Sequence, residues 1–200
     1  QVCGHATLRL ANAETLPFEF VNFADTIGEY VEEVTKLADS MREETRSFNQ
    51  MLADGTLAAT QDPKEKLALP KAKSEVPKMD FTPLQNALKR LQQSAKTHET
   101  AIRNKSIAPA AQKQFDAILI QTERALTSDK GLPRRNWFRH QIYAPGFYTG
   151  YGVKTLPGVR EAIEQRNWRE ATEQIQSISA TLDNFASKID SATRLAQEQK

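Results

Sequence analysis

Cysteine is almost missing from this chain of 200 residues. Cys3 stands alone, so no internal disulfide can form, and any core must hold by packing. Histidine is nearly as scarce: His5, His98 and His140 lie far apart. Metal catalysis needs several His, Cys, Asp or Glu ligands converging on one ion, and the chain has no His-Glu-x-x-His, Cys-x-x-Cys or His-x-Glu pattern. The Gly-x-Ser-x-Gly elbow of serine hydrolases is absent, as is the Gly-x-x-x-x-Gly-Lys-Ser/Thr phosphate loop. Cys3 has neither a helix start nor a basic partner near it in sequence to activate a thiolate. Charge of one sign is lacking too. The 27 basic and 25 acidic residues leave a net +2, which predicts neither nucleic-acid binding nor attraction to a membrane surface. No apolar run approaches the roughly 20 residues that span a bilayer, and no basic segment followed by an apolar one marks a signal peptide. These absences predict no catalytic residue, no metal site and no cofactor in the chain itself.

What is present is helical periodicity. Phe23, Ile27, Tyr30, Val34, Leu37, Met41, Phe48 and Met51 recur at spacings of three and four, with Thr45 filling one gap. The spacing predicts a helix from Asn22, its cap, to about Leu52, with Asp25 as the capping-box acid. A second helix is expected from Thr82-Pro83-Leu84-Gln85, with Thr82 as cap and Gln85 completing the box, to near Asn104. Its stripe is Leu84, Leu88, Leu91, Ala95, His98 and Ile102, where His98 reads as a packed histidine with a satisfied hydrogen bond. A third helix follows Pro109, buries Ala111, Phe115, Ile118, Leu119, Thr122 and Leu126, and stops near Lys130-Gly131. Pro157-Gly158 opens a short helix. The last long one starts at the box Asn167-Trp168-Arg169-Glu170 and carries the stripe from Trp168 to Leu195. No strand is expected after residue 12. Narrow apolar stripes on helices of similar length must face one another, so the fold class is all-α, an up-and-down four-helix bundle.

Two stretches break the pattern. Residues 53–79 hold Pro63, Pro70, Pro77 and the lysines Lys64, Lys66, Lys71, Lys73 and Lys78, and read as a solvated surface excursion. Gly131–Gly158 is a long aromatic and glycine-rich loop between helices 3 and 4. Trp137, Phe138, Tyr143, Phe147, Tyr148 and Tyr151 crowd into it with Arg134, Arg135, Arg139 and His140. Loops this long are uncommon unless they serve a function, and aromatics with arginines dominate contact energies. Asn104-Lys105-Ser106 has the form of a glycosylation acceptor.

Leu132-Pro133, Phe138-Arg139-His140, Ile142-Tyr143-Ala144-Pro145 and Leu156-Pro157-Gly158, together with the N-terminal QVCGHATLRLAN and LPFEFVNFADTIGEYVEEV, carry a resemblance. The chain resembles the C-terminal helical domain shared by glutamate carboxypeptidases of the prostate-specific membrane antigen type and the transferrin receptor. The resemblance covers nearly all of it except the 53–79 excursion, which looks like an insertion.

It implies a fragment of a longer protein. Residues 1–17 would be the residual end of an upstream peptidase domain, with 1–12 as its last strand or strand exit, and 18–200 the helical dimerisation domain. Zinc, the cofactor of the parent, would be held upstream. The partners implied are that peptidase domain, a second copy in a homodimer and a peptide substrate, with no nucleic acid and no membrane span in the fragment. A secreted, periplasmic or extracellular parent is expected.

The family's Asn-Lys-Tyr pocket motif is matched by Thr149, Gly150 and Tyr151, the substrate-binding candidates. Tyr151 keeps a phenol that can donate to a carboxylate. Gly150 lacks the lysine that would pair with a glutamate side chain. Lys154 is a nearby substitute. Arg139, His140 and Tyr143 are the expected loop anchors, and Arg134, Arg135 and Arg139 would meet acids of the missing domain. The alternative implied is the ligand-binding domain of a catalytically inactive, transferrin-receptor-like protein.

Overall fold

The computed structural model describes residues 2–13, 15–59, 68–103 and 107–198. Its order is α1 (Val2–Ala11), α2 (Phe20–Ala53), α3 (Thr56–Ala59), α4 (Thr82–Ile102), α5 (Pro109–Ala125), β1 (Tyr143–Pro145), β2 (Val153–Thr155), α6 (Pro157–Glu164) and α7 (Trp168–Glu198). Pro63, Lys64 and Lys66 of the excursion and the Asn104-Lys105-Ser106 acceptor lie outside the described residues.

The chain is mostly helical, and the stripes meet as their spacing requires. Ile27, Val34, Leu84, Leu91, Phe115, Leu119, Ile175, Leu182 and Ile189 are at most 1% exposed and belong to one apolar cluster. Each such side chain contributes about 1.5–3 kcal/mol relative to an exposed one. α7 is the hub, flanked by α4, α5 and α6, while α4 also carries α2. α5 reaches α4 through Phe115, whose ring lies parallel to His98 at 6.1 Å.

His98 is buried. The Thr193 hydroxyl donates to the Ile189 carbonyl at 2.9 Å, so the 3.0 Å contact to His98 Nδ1 uses a proton on the imidazole. Burial pushes its pKa below the ordinary histidine value.

The helix starts depart from the expected caps. α2 begins at Phe20, two residues before Asn22, because Phe20 is buried with its ring edge-on to His98 and Phe185. Asn22 therefore sits inside the first turn and donates to the Glu19 carboxylate. At α4 the acceptor is Asp80, not Thr82: its Oδ1 takes the Thr82 amide at 2.9 Å. The Thr82 hydroxyl and then that amide hold the Asp80 carboxyl below its usual pKa. Before α7 half of the expected box forms: Asn167 Oδ1 accepts the Glu170 amide at 3.3 Å, while the Asn167 amide goes to Ala162 O at 2.8 Å and the Glu170 carboxylate takes Asn167 Nδ2 at 3.1 Å.

Residues 2–11 form a helix rather than a strand. A short mixed segment has no decisive period, and Ala6, Leu8, Arg9, Leu10 and Ala11 are good helix formers. Its residues are all exposed, including Val2, Leu8 and Leu10.

The excursion is not wholly solvated either. Its end runs along α2: Asn49 exchanges two 2.8 Å hydrogen bonds with the Lys73 backbone, and Arg42 donates to the carbonyls of Val76 and Pro77. Val76 is buried there, and Arg166, in a left-handed turn between α6 and α7, donates to Ser74 O and Thr45 Oγ1.

Candidate functional site

The aromatic loop is an ordered structure with two strands, contrary to the expectation of none. α5 stops at Ala125, short of Lys130-Gly131, because the chain there begins to pair with its own return. Leu126 O accepts the Gln141 amide at 3.0 Å, and the Ser128 amide donates to Arg139 O at 2.9 Å. Within this closed turn the Leu132 amide meets Phe138 O at 2.9 Å. Gly131 holds a left-handed φ of 63°, and a Cβ on it would strike the Asn136 backbone.

Beyond the turn, β1 and β2 pair antiparallel with Tyr143 opposite Thr155, Ala144 opposite Lys154 and Pro145 opposite Val153. The tip, 146–152, closes through the Gly146 amide to Gly152 O at 2.7 Å and the Gly152 amide to Thr149 O at 3.2 Å.

The substrate-binding candidates lie together at this tip. Tyr151 is fully exposed, at 104%, and Tyr148 is 73% exposed. The Thr149 hydroxyl is turned back onto Gly152 O at 3.2 Å. Gly150 has a left-handed φ of 59°, with open space where a Cβ would stand. Tyr143 and Val153 on the strands are exposed as well, so the hairpin presents aromatic and apolar surface to solvent. Lys154, the nearby cation, is not free: its Nζ lies 2.6 Å from Glu164 on α6.

Around the hairpin's base, His140 Nδ1 accepts the amides of Ile142 and Tyr143 at 3.3 and 3.4 Å, so the proton sits on Nε2, 3.4 Å from Glu123 Oε1. Its ring lies 4.3 Å from that of Tyr143. Burial lowers the His140 pKa, and the Glu123 carboxylate opposes that without reversing it. Arg139 ties the turn by its backbone carbonyl, which also accepts Gln141 Nε2 at 2.8 Å; its side chain makes only an exposed 3.3 Å pair with Asp129.

The three loop arginines find acids within the chain, where acids of another domain were expected. Arg134 forms a two-bond pair with Glu170 at 2.7 and 3.0 Å. Arg135 is buried and paired with the buried Glu161 on α6. Glu161 is the residue that sequence reasoning missed. It sits on a helix face 26 positions from its partner, and no periodicity links a loop residue to it. Among the described residues no group of three or more His, Cys, Asp or Glu side chains is arranged to hold a metal ion. The described residues do not fit zinc.

Residues 79–190, spanning α4 through most of α7 with the hairpin between them, match the family described as the transferrin receptor-like dimerisation domain. The chain belongs to that family. Relatives are similar over nearly all of it. A probable glutamate carboxypeptidase of Arabidopsis thaliana is 26% identical over 90% of the chain and 22% of its own length. Another, of Arthroderma benhamiae, is 28% identical over 90% of the chain and 20% of its own length. A protein of Schizosaccharomyces pombe named an inactive zinc metalloprotease is 18% identical over 94% of the chain and 21% of its own length. This transferrin receptor-like domain therefore spans about a fifth of the length of the curated relatives it matches. No helix among the described residues is long and apolar enough to cross a membrane.

Proposed function

We propose that the four long helices form an up-and-down bundle that is the C-terminal dimerisation domain of a zinc-dependent, glutamate carboxypeptidase-like exopeptidase, and that its hairpin completes the substrate pocket of the peptidase domain. The observation that carries this reading is the tip. A family member holds Tyr148 and Tyr151 outward on an ordered hairpin, where aromatic surface is available to a neighbouring domain and a peptide. Tyr151 offers its phenol to the terminal carboxylate of a substrate, and Arg139, His140 and Tyr143 hold the base. Zinc and its ligands belong to the peptidase domain of the parent, which is secreted, periplasmic or extracellular. The tip brings no unpaired cation, since position 150 is glycine and Lys154 is committed to Glu164. A buried side-chain carboxylate without a counter-charge is costly, so C-terminal glutamate gains no advantage from this loop.

The test uses the parent polypeptide and a panel of N-acyl dipeptides ending in Glu, Gln, Leu or Tyr. Hydrolysis that does not favour Glu is expected. Gly150→Lys should raise kcat/KM for the Glu substrate by about tenfold relative to Gln, the scale of one charge-assisted bond. A parent that hydrolyses none of the panel, or a Gly150→Lys variant with an unchanged Glu/Gln ratio, overturns the reading. Light scattering on the chain tests self-association, with a homodimer expected.

A further inference from the structure

Two strands of three residues do not hold a hairpin in place by themselves. β1 ends in Pro145, which has no amide hydrogen, and Tyr143 and Val153 face solvent. The fastening comes from below. Just before Gly146, the Pro145 carbonyl accepts a hydrogen bond from Arg135 Nη1. Just after it, the Phe147 amide donates to Glu161 Oε1 at 2.8 Å. Arg135 Nη2 in turn reaches both oxygens of the Glu161 carboxylate, at 2.7 and 2.8 Å. One ion pair thus grips the backbone on both sides of a single residue, the cation taking a carbonyl and the anion an amide.

A Cβ on the gripped residue would strike Thr149 Oγ1 and force that hydroxyl off Gly152 O. The guanidinium also lies 5.7 and 5.8 Å from the ring centroids of Phe138 and Phe147. Arg135 and Glu161 are 2% and 4% exposed, so the pair is shielded from water and salt. Glu161 stands on α6, which packs on α7 and α2, so the grip is referred to the helical core.

We propose that Arg135 and Glu161 are positioning residues: a buried clamp that sets the pose of the Phe147–Tyr151 tip against the core. Its consequence for substrate rests on the function proposed above, whereas the clamp itself rests only on this geometry. Removing the charge of one partner leaves the other buried and uncompensated. Ile142, Ala144 and Leu156 anchor the strands in the core, whereas residues 147–152 are exposed throughout, so the tip is where the structure gives way, while α4 and α7 keep their own packing.

Hydrogen exchange read by mass spectrometry on the 200-residue chain tests the clamp, comparing the wild type with Glu161→Gln and Arg135→Lys. Peptides covering 143–156 should exchange at least about tenfold faster in Glu161→Gln, with α4 and α7 unchanged. Arg135→Lys keeps the charge but not the fork and should show a smaller rise confined to the same peptides. Unchanged hairpin exchange in both variants, or a rise spread equally over α4 and α7, overturns the proposal. If Glu161→Gln does not fold, Arg135→Lys decides alone by the same criterion.

In the parent, Glu161→Gln should raise KM for an N-acyl dipeptide by about tenfold with kcat within about twofold, and Arg135→Lys should lie between. Hairpin-specific exchange with an unchanged KM supports the clamp and refutes the substrate-facing role of the tip.

Discussion

Lowering the pH from 7.5 to 5.5 should destabilise this domain, and the loss can be traced to His98. The ring is 3% exposed, packed between Phe20 and Phe115, and donates its Nδ1 proton to Thr193. No carboxylate opposes its desolvation, so the folded pKa lies below the unfolded value of about 6.5. The unfolded chain therefore binds more protons, and stability rises with pH. The contribution is complete above pH 6.5 and is lost as pH falls from there toward the folded pKa. Across the stated interval a histidine kept neutral by the fold costs at most about 1.4 kcal/mol. His140 shifts in the same direction, with Glu123 opposing its desolvation. Urea unfolding of the chain at several pH values measures the total, and His98→Gln isolates the part. Glutamine can still donate to Thr193 but does not titrate, so its stability should fall less over the interval, by up to about 1.4 kcal/mol. Parallel pH profiles for the two proteins would refute the reasoning.

Other perturbations test the packing and the turns. Phe115→Ala removes a fully buried ring between α5 and His98 and should cost about 3–5 kcal/mol by urea unfolding; a loss under about 1 kcal/mol would mean that α5 is not anchored there. Gly131→Ala should cost more than Gly150→Ala in a thermal melt. Both sites carry a left-handed φ, worth roughly 1–2 kcal/mol of strain, but only Gly131 would also drive a Cβ into a neighbouring backbone. Equal melting temperatures for the two variants would contradict the close turn at Gly131.

The long helices were legible because burial repeats with the helical period. Phe115, Leu119, Ile175 and Leu182 occupy the positions that spacing assigned to the core. Starts were less legible, since a cap is chosen in competition with tertiary packing. Phe20 could be buried only if α2 began before Asn22, and Asp80 reached the Thr82 amide ahead of any box from Thr82 itself. The strands were missed because three residues are too few to show an alternation, and β1 also ends in proline. The loop arginines were recognised as contact makers but assigned to an absent domain. Their partners, Glu161 and Glu170, lie 26 and 36 residues away on helices whose acids otherwise read as solvated face. Pairing of that kind is a product of topology, which no local pattern encodes.

The division of labour follows from the same residues. The long helices bury most of their large apolar side chains, yet Tyr143, Tyr148 and Tyr151 remain in water on one short hairpin. Ordinary aromatic burial could not fix that hairpin without removing the rings from the surface. A charge pair can, because it acts on the backbone. Arg135 and Glu161 engage a carbonyl and an amide and leave the side chains of the tip uncommitted. The ion pair costs desolvation that an apolar pair would not, and what it supplies in return is direction: of backbone groups, the guanidinium bonds only a carbonyl and the carboxylate only an amide. A hairpin held in this way keeps its aromatic face outward and its pose fixed before any partner arrives, so less ordering is left to be lost on contact.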